Sequence, residues 1–237
     1  ASGMYSLRAN TTGSYNIASG VWSLGNNTTG SNNIAFGQNA LKANTIGTYN
    51  IAFGYMSLDA NTEGTNNIAS GNSSLTNNTT GSNNVASGKS SLSANTEGDY
   101  NIASGYQSLI SNTTGDYNIA SGAEAMRSNT TGSYNVAFGR QAGYDITTGT
   151  YNTIIGYDAD VSASGSINQI VIGKGASGQG DNYAVIGNAN ITRLYAAQDA
   201  GATLYAAGLN LGGTAVTSTA AEINIIDGGT SASATTI

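Results

Sequence analysis

Glycine returns every seventeen residues along most of this chain. One set falls at Gly13, Gly30, Gly47, Gly64, Gly81, Gly98, Gly115, Gly132 and Gly149. A second falls at Gly3, Gly20, Gly37, Gly54, Gly71, Gly88, Gly105, Gly122, Gly139 and Gly156. Counting the first glycine as position 1, the unit reads G-(S/T/D)-(Y/N)-N-(I/V)-A-(S/F)-G-x-x-(S/A)-L-x-x-N-T-(T/E). A fixed period means that one small unit is built repeatedly and stacked on its neighbours. Seventeen residues are too few for a helix pair or a propeller blade, and they suit one coil of a β-solenoid. Two glycines per unit, each costing about 1 kcal/mol against Ala in a helix, weigh against helix.

Within the unit, N-I-A-(S/F)-G reads as a short strand ending at glycine. The piece (S/A)-L-x-x-N-T reads as a second strand and a corner. Both are bounded by glycine because tight corners need a positive φ or a close backbone approach. The chain has no proline, as expected where an interior strand must keep every N–H. Stacked coils place equivalent residues about 4.8 Å apart, so each position becomes a rank. Asn16 to Asn152 form one amide rank and Asn10 to Asn129 another, predicted to hydrogen-bond from coil to coil. The Ile17 and Leu24 ranks, the latter closing with Met126, are expected to be the core. Ala18 and its equivalents are expected on the opposite strand face. Position 7 alternates between Ser19, Ser70, Ser87, Ser104, Ser121 and Phe36, Phe53, Phe138, then Ile155. Such a rank belongs on a surface, shared between chains or open to water. Two large apolar residues per coil bury little, so the expectation is a homotrimer of rolls in which partner chains supply the missing burial.

The period fails after Gly156. "NQIVIGKGASGQGDNYAVIGN" keeps the strand-and-glycine beat, but Gly173 to Gly187 is a step of 14. The expected organisation is a repeat roll over 1–164, degenerate terminal coils over 165–189 and a separate C-terminal module over 190–237. In that module "ANITRLYAAQDAGATLYAAGLNLGG" alternates like β structure. "TSTAAEINIIDGG" gives a capping box from Thr219 to Glu222, predicting a short helix with Ile223 and Ile226 that ends near Asp227 and Gly228. The chain opens in mid-repeat without Met, as a fragment or processed piece of something longer would.

Composition narrows the chemistry. Of 237 residues only 8% are charged, against about 25% in ordinary globular chains. Net charge is -6, which repels a phosphate backbone. Zero cysteine excludes disulfides and thiolate metal sites, and zero histidine removes the usual metal ligand and general base. No cofactor or metal is expected. No apolar run approaches the ~20 residues that span a bilayer, and no secretory signal is visible.

The unit with "NIAFG" followed by "AL" resembles the head repeats of trimeric autotransporter adhesins, which form left-handed parallel β-rolls; the coil here is longer and its corners are Asn-Thr. "NTTGSYN" and its variants, "ITRLYA" and "GTAVTSTAAEINIIDGG" look more like bacteriophage tail fibres. What the resemblance implies is an all-β, left-handed, trimeric β-roll in an extracellular virion fibre that attaches to a host-surface glycan or protein and joins other tail proteins. It supplies no catalytic residues. The runner-up is a bacterial surface adhesin or matrix filament.

Four constellations merit a structural test. Tyr15, Tyr49, Tyr100, Tyr117, Tyr134 and Tyr151 share position 3, and Trp22, Tyr55 and Tyr106 come soon after the second glycine. Exposed rings beside amides suit glycan contacts; the competing reading is a self-stack that stiffens the rod or lines a seam. Asp99 and Asp116 hold one rank on adjacent coils beside Glu97. Carboxylates about 5–5.5 Å or 6.5–9.5 Å apart would suit a glycosidase, hence a polysaccharide depolymerase as a third reading; solvated surface acids explain the same letters. The threonine rank from Thr11 to Thr147 raises ice binding, against which Ile46, Glu63 and Glu97 break the neighbouring rank. N-T-T also spells a glycosylation acceptor at Asn10, Asn27, Asn78, Asn112 and Asn129, where an Asn-Thr corner is the plainer explanation.

Overall fold

The computed structural model describes residues 1–191 and two short strands beyond them, Leu209–Leu211 and Thr214–Val216. Residues 1–191 and 192–237 are separate compact units. The first is a parallel β-solenoid of about ten coils, and no helix occurs among the described residues. Accordingly none of them forms a helix long and apolar enough to cross a membrane.

Each coil contributes one three-residue strand to a single eleven-stranded sheet. The strands are β1 (Ile17–Ser19), β2 (Ile34–Phe36), β3 (Ile51–Phe53), β4 (Ile68–Ser70), β5 (Val85–Ser87), β6 (Ile102–Ser104), β7 (Ile119–Ser121), β8 (Val136–Phe138), β9 (Thr153–Ile155), β10 (Ile170–Ile172) and β11 (Ala184–Ile186). They pair in chain order, and Ile17 lies against Ile34, Ala18 against Ala35, Ser19 against Phe36. The seventeen-residue step holds through β10, where Ile170 opposes Thr153. β11 then joins after a fourteen-residue coil, Ile170 opposing Ala184. In the second unit, β12 (Leu209–Leu211) and β13 (Thr214–Val216) pair antiparallel. The helix expected around Thr219 and Glu222 lies outside the described residues.

The core differs from expectation on one rank. The Leu24, Leu41, Leu58, Leu75, Leu92, Leu109 and Met126 rank is fully buried, as predicted. The isoleucines are not: Ile17 is 51% exposed and Ile102 42%, whereas Ala35 through Ala137 are completely enclosed. A strand turns alternate residues to opposite faces, and here the small one faces in. The coil is thin, and the leucine crossing from the far wall leaves room only for a methyl. The last regular coil shows the volume rule directly. There Gly143 stands in the leucine rank, and Ile154 and Ile146 replace the inward alanine and an asparagine, both fully buried. A Cβ on Gly143 would sit 3.1 Å from Ile146 Cδ1 and 3.6 Å from Ile154 Cδ1, so the two isoleucines fill what leucine occupies elsewhere.

The leucine segment is also no second strand. It runs as turns, because positions 10 and 12 both adopt left-handed backbone: φ is 62° at Trp22 and 48° at Leu24, and 54° and 50° at Met56 and Leu58. Left-handed helix geometry costs an L-residue roughly 1–2 kcal/mol. Coil-to-coil bonds such as Leu24 N–H to the Ala40 carbonyl, 3.0 Å, hold it there. The glycine sets serve different needs. Gly20 has φ 136°, and a Cβ there would lie 2.5 Å from the Gly37 carbonyl oxygen; at Gly13 φ is ordinary, but a Cβ would run into the Gly30 carbonyl.

Both asparagine ranks are buried hydrogen-bond ladders. Asn44 Nδ2 donates to Asn27 Oδ1 at 2.7 Å and to the Gly47 carbonyl of its own corner at 3.0 Å. In the other rank the Asn50 N–H donates to Asn33 Oδ1 at 2.9 Å, while Asn50 Nδ2 donates to the Gly64 carbonyl at 2.8 Å. The first ladder ends where Ile146 replaces its asparagine, and Asn129 Oδ1 is left buried without a partner.

This exchange of volume makes a prediction. Gly143→Leu alone overpacks the coil by about 1–3 kcal/mol; Ile146→Asn alone and Ile154→Ala alone open cavities at about 2–5 kcal/mol each. The triple variant rebuilds the neighbouring coils and gives Asn129 Oδ1 a donor, so it should cost several kcal/mol less than the sum. Chemical denaturation measures this, and strict additivity would disprove the exchange.

Candidate functional site

Outside the core, the chain's chemistry lies in side-chain ranks projected at coil spacing. Position 3 carries the tyrosine ladder, and its backbone is left-handed throughout, from φ 59° at Tyr15 to 61° at Tyr151. Where four coils in succession carry tyrosine, the rings stack. Tyr100 and Tyr117 lie 4.8 Å apart with planes 4° from parallel; Tyr117 and Tyr134, then Tyr134 and Tyr151, lie 5.0 Å apart at 5°. Coil spacing thus fixes ring spacing. Neighbouring rings close both faces of Tyr117 and Tyr134 and leave edges to solvent. Tyr15 and Tyr49 are separated by Asn32 and stay unstacked; Tyr15 is 85% exposed. The Tyr117 phenol is held above its ordinary range by desolvation, then by Tyr100 and Tyr134, then by Asp116 and Asp99.

The other aromatic candidates do not join this ladder. Tyr55 and Tyr106 stand at position 9, both exposed and three coils apart, with Asn72 and Lys89 between them. Trp22, one position further on, stacks on Tyr5 at 4.6 Å, with the Arg8 guanidinium 5.4 Å and 5.7 Å from the two ring centres. The nine aromatics therefore make one stack of four and several separate rings, with no shared cleft.

Sequence reading passed over a set of cation–aromatic pairs. Arg127 donates to the Tyr144 hydroxyl at 2.9 Å, and Arg140 to the Tyr157 hydroxyl at 2.8 Å, each arginine also lying over the partner ring. Each pair is seventeen residues apart. That offset was the available signal: one rank holds both partners on adjacent coils.

The acidic pair has a backbone task. Asp116 Oδ1 accepts the Asp99 N–H at 2.7 Å, and Asp99 Oδ1 accepts the Ser82 N–H at 2.6 Å. Serine does the same at this rank, Ser31 Oγ accepting the Ser14 N–H at 2.9 Å and Ser133 Oγ the Asp116 N–H at 3.0 Å. Each carboxylate is a position-2 acceptor for the coil before it. No three acidic groups converge on a metal-holding cluster among the described residues. The threonine rank is likewise spent internally: the Thr28 carbonyl accepts the N–H groups of Thr11, Thr12 and Gly13 and the Thr11 hydroxyl. The N-T-T asparagines Asn27, Asn78, Asn112 and Asn129 are fully buried, which closes them to glycosyl transfer in the folded coil.

One open recess of about 170 Å3 lies near the end of the regular coils, lined by Gln141, Tyr144, Asp158 and Asp160. Asp160 holds two backbone N–H groups there, Asp145 at 3.0 Å and Val161 at 2.8 Å. Burial outweighs those bonds and pushes its carboxyl up to about 6, with Asp145 adding to the rise. No protein-family model, curated protein or solved structure matches the chain.

Asp160 sets a pH dependence. Its folded pKa lies above the ordinary 3.8, so the folded state binds the proton more tightly. The stability this confers is complete below about 4 and is lost as pH rises through about 6. The full shift corresponds to about 3 kcal/mol, which partial exposure reduces to roughly 1–2 kcal/mol. Denaturant titrations from pH 4 to 8 should show the decline, and Asp160→Asn should flatten it. An unchanged slope would assign the effect to another group.

Proposed function

We propose that this chain is a rod segment of an extracellular homotrimeric fibre, and that it serves attachment to a host surface without catalysis. The observation that carries this reading is the outward face of the sheet. Positions 5 and 7 give it an apolar rank along all eleven strands, from Ile17 to Ile186. Phe36 and Phe53, exposed to 40% and 44%, stack on each other at 5.2 Å with planes 2° apart. Single soluble chains rarely leave so long an apolar strip to water. A second support is that the acidic pair and the aromatic ranks line no recess; the one described, at Gln141, Tyr144, Asp158 and Asp160, lies apart from them. Enzyme sites are clefts with converging polar groups, and the carboxylates that suggest a depolymerase are occupied with backbone N–H groups on a convex edge.

The number three and the tail-fibre assignment come from the resemblance of the repeat and of "GTAVTSTAAEINIIDGG"; the C-terminal module over 190–237 would be an intertwined segment of the trimer. In this reading the seam is the isoleucine–phenylalanine face. The variable ranks, with Tyr55, Tyr106 and the exposed Tyr15 and Tyr49, face the receptor. A cell-surface adhesin would use the same rod, and imaging the particle that carries the chain separates the two.

Light scattering at micromolar concentration should give three times the 23.8 kDa chain mass. Ile68→Asp with Ile102→Asp puts charge on the seam and nothing in the core, so it should lower the mass to one chain. A folded wild-type monomer would refute the assembly.

A further inference from the structure

The four-ring stack has a property that single exposed tyrosines lack. Equivalent atoms of Tyr100, Tyr117, Tyr134 and Tyr151 are related by one coil step, so like ring carbons of neighbours lie about as far apart as the ring centres, 4.8 to 5.0 Å. All four rings are about half exposed, within reach of a soluble oxidant. Holding two reactants side by side makes their coupling effectively unimolecular. The chain has no cysteine, so no thiol of its own competes for an oxidising equivalent or quenches a phenoxyl radical.

We propose that the stack Tyr100–Tyr117–Tyr134–Tyr151 is an oxidative cross-linking site, at which a one-electron oxidant of the peroxidase class, supplied with hydrogen peroxide, joins adjacent coils through dityrosine. Two neighbouring phenols each give up one electron and one proton and become phenoxyl radicals. The two electrons and two protons reduce hydrogen peroxide to two waters. The radicals couple at their ortho carbons, forming one carbon–carbon bond. Each coupled carbon then passes its hydrogen to its own phenol oxygen, restoring both aromatic rings. The product has lost two hydrogen atoms, and the link spans two coils that were held only by hydrogen bonds and packing. The rings must slide together by a few ångströms, which their exposed position permits. Tyr15, Tyr49, Tyr55 and Tyr106 are comparably or more exposed but have no stacked tyrosine, so they are internal controls.

Trypsin makes the outcome legible, because Lys89, Arg127, Arg140 and Lys174 place the ladder on three peptides: 90–127 with Tyr100, Tyr106 and Tyr117, 128–140 with Tyr134 alone, and 141–174 with Tyr144, Tyr151 and Tyr157; fragment ions then assign each link to its tyrosine. The full chain is treated with horseradish peroxidase and hydrogen peroxide, denatured, digested and analysed by mass spectrometry and dityrosine fluorescence. Expected are a Tyr100–Tyr117 link within 90–127 and the joined pairs 90–127 with 128–140 through Tyr117–Tyr134 and 128–140 with 141–174 through Tyr134–Tyr151, with none at Tyr106, Tyr144 or Tyr157. Tyr134→Phe keeps the stacked ring and removes the phenol, so it should abolish both joined pairs and keep the link within 90–127. Absence of dityrosine, links that appear equally in the Tyr49 and Tyr55 peptide 43–89, or joined pairs that survive Tyr134→Phe would each overturn the site.

Discussion

The structure depends on the buried amide. Each coil places two asparagines in its interior, and each spends its donors and acceptor on a neighbouring coil and on a corner carbonyl. The Gly47 carbonyl shows how closely this is coupled. It receives Asn44 Nδ2 from its own coil at 3.0 Å and Asn33 Nδ2 from the coil before at 2.8 Å. A buried polar group without a partner costs about 1–3 kcal/mol, so a shift of register by one residue would strand amides along the whole ladder. The same bonds that close a corner also set the coil above it. Length is then gained by repetition alone, and a coil without neighbours has neither its ladder nor its strand pairing.

That interior explains the sheet's orientation. With two amides, one leucine, the buried serine or alanine of position 11 and the corner carbonyls inside, little space remains against the strand, and alanine fits it. Isoleucine is displaced outward for lack of room. Where the leucine is missing, at Gly143, isoleucine enters at 154 and at 146, and one of the two amide ladders ends while the other continues through Asn152 to Gln169. Interior volume is conserved while its parts change places. The cost is visible at Asn129, whose Oδ1 loses its donor. The narrowing to a fourteen-residue coil at β11 follows within two turns.

Much of this was legible in the sequence, because repetition turns spacing into position. The seventeen-residue step predicted the parallel register, the two amide ladders, the leucine rank and the fourteen-residue close. What spacing could not settle was which face of a three-residue strand points inward. Ile-Ala-Ser alternates equally well in either sense, and hydrophobicity favoured the wrong one; side-chain volume decided it. The second strand was misread for a related reason. Leucine has no local preference for φ near 50°, so nothing in Ser-Leu announces a left-handed turn that only contacts between coils sustain. At the candidate sites, spacing correctly put Tyr100 to Tyr151 in one rank and Asp99 beside Asp116. It did not show that the carboxylates substitute for serine as backbone acceptors. The Arg127–Tyr144 and Arg140–Tyr157 pairs were readable from their offset and were passed over because attention rested on like residues.

The division between ranks bears on where such a rod can change. Inward positions admit almost one residue each: asparagine at 4 and 15, alanine at 6, leucine at 12. Position 9 holds Val21, Gln38, Tyr55, Asn72, Lys89, Tyr106, Ala123, Arg140 and Tyr157 in succession. A substitution there meets solvent and the same rank on two neighbouring coils, and it leaves the amide ladders intact. The exposed chemistry of this rank can therefore be rewritten one coil at a time without reopening the fold. Positions 5 and 7 are intermediate: position 5 stays aliphatic from Ile17 to Val136 and position 7 alternates serine with phenylalanine, although the core requires neither. The proposed chain–chain seam would account for that, since at position 7 the coil's own packing accepts serine, at Ser19, Ser70, Ser87, Ser104 and Ser121.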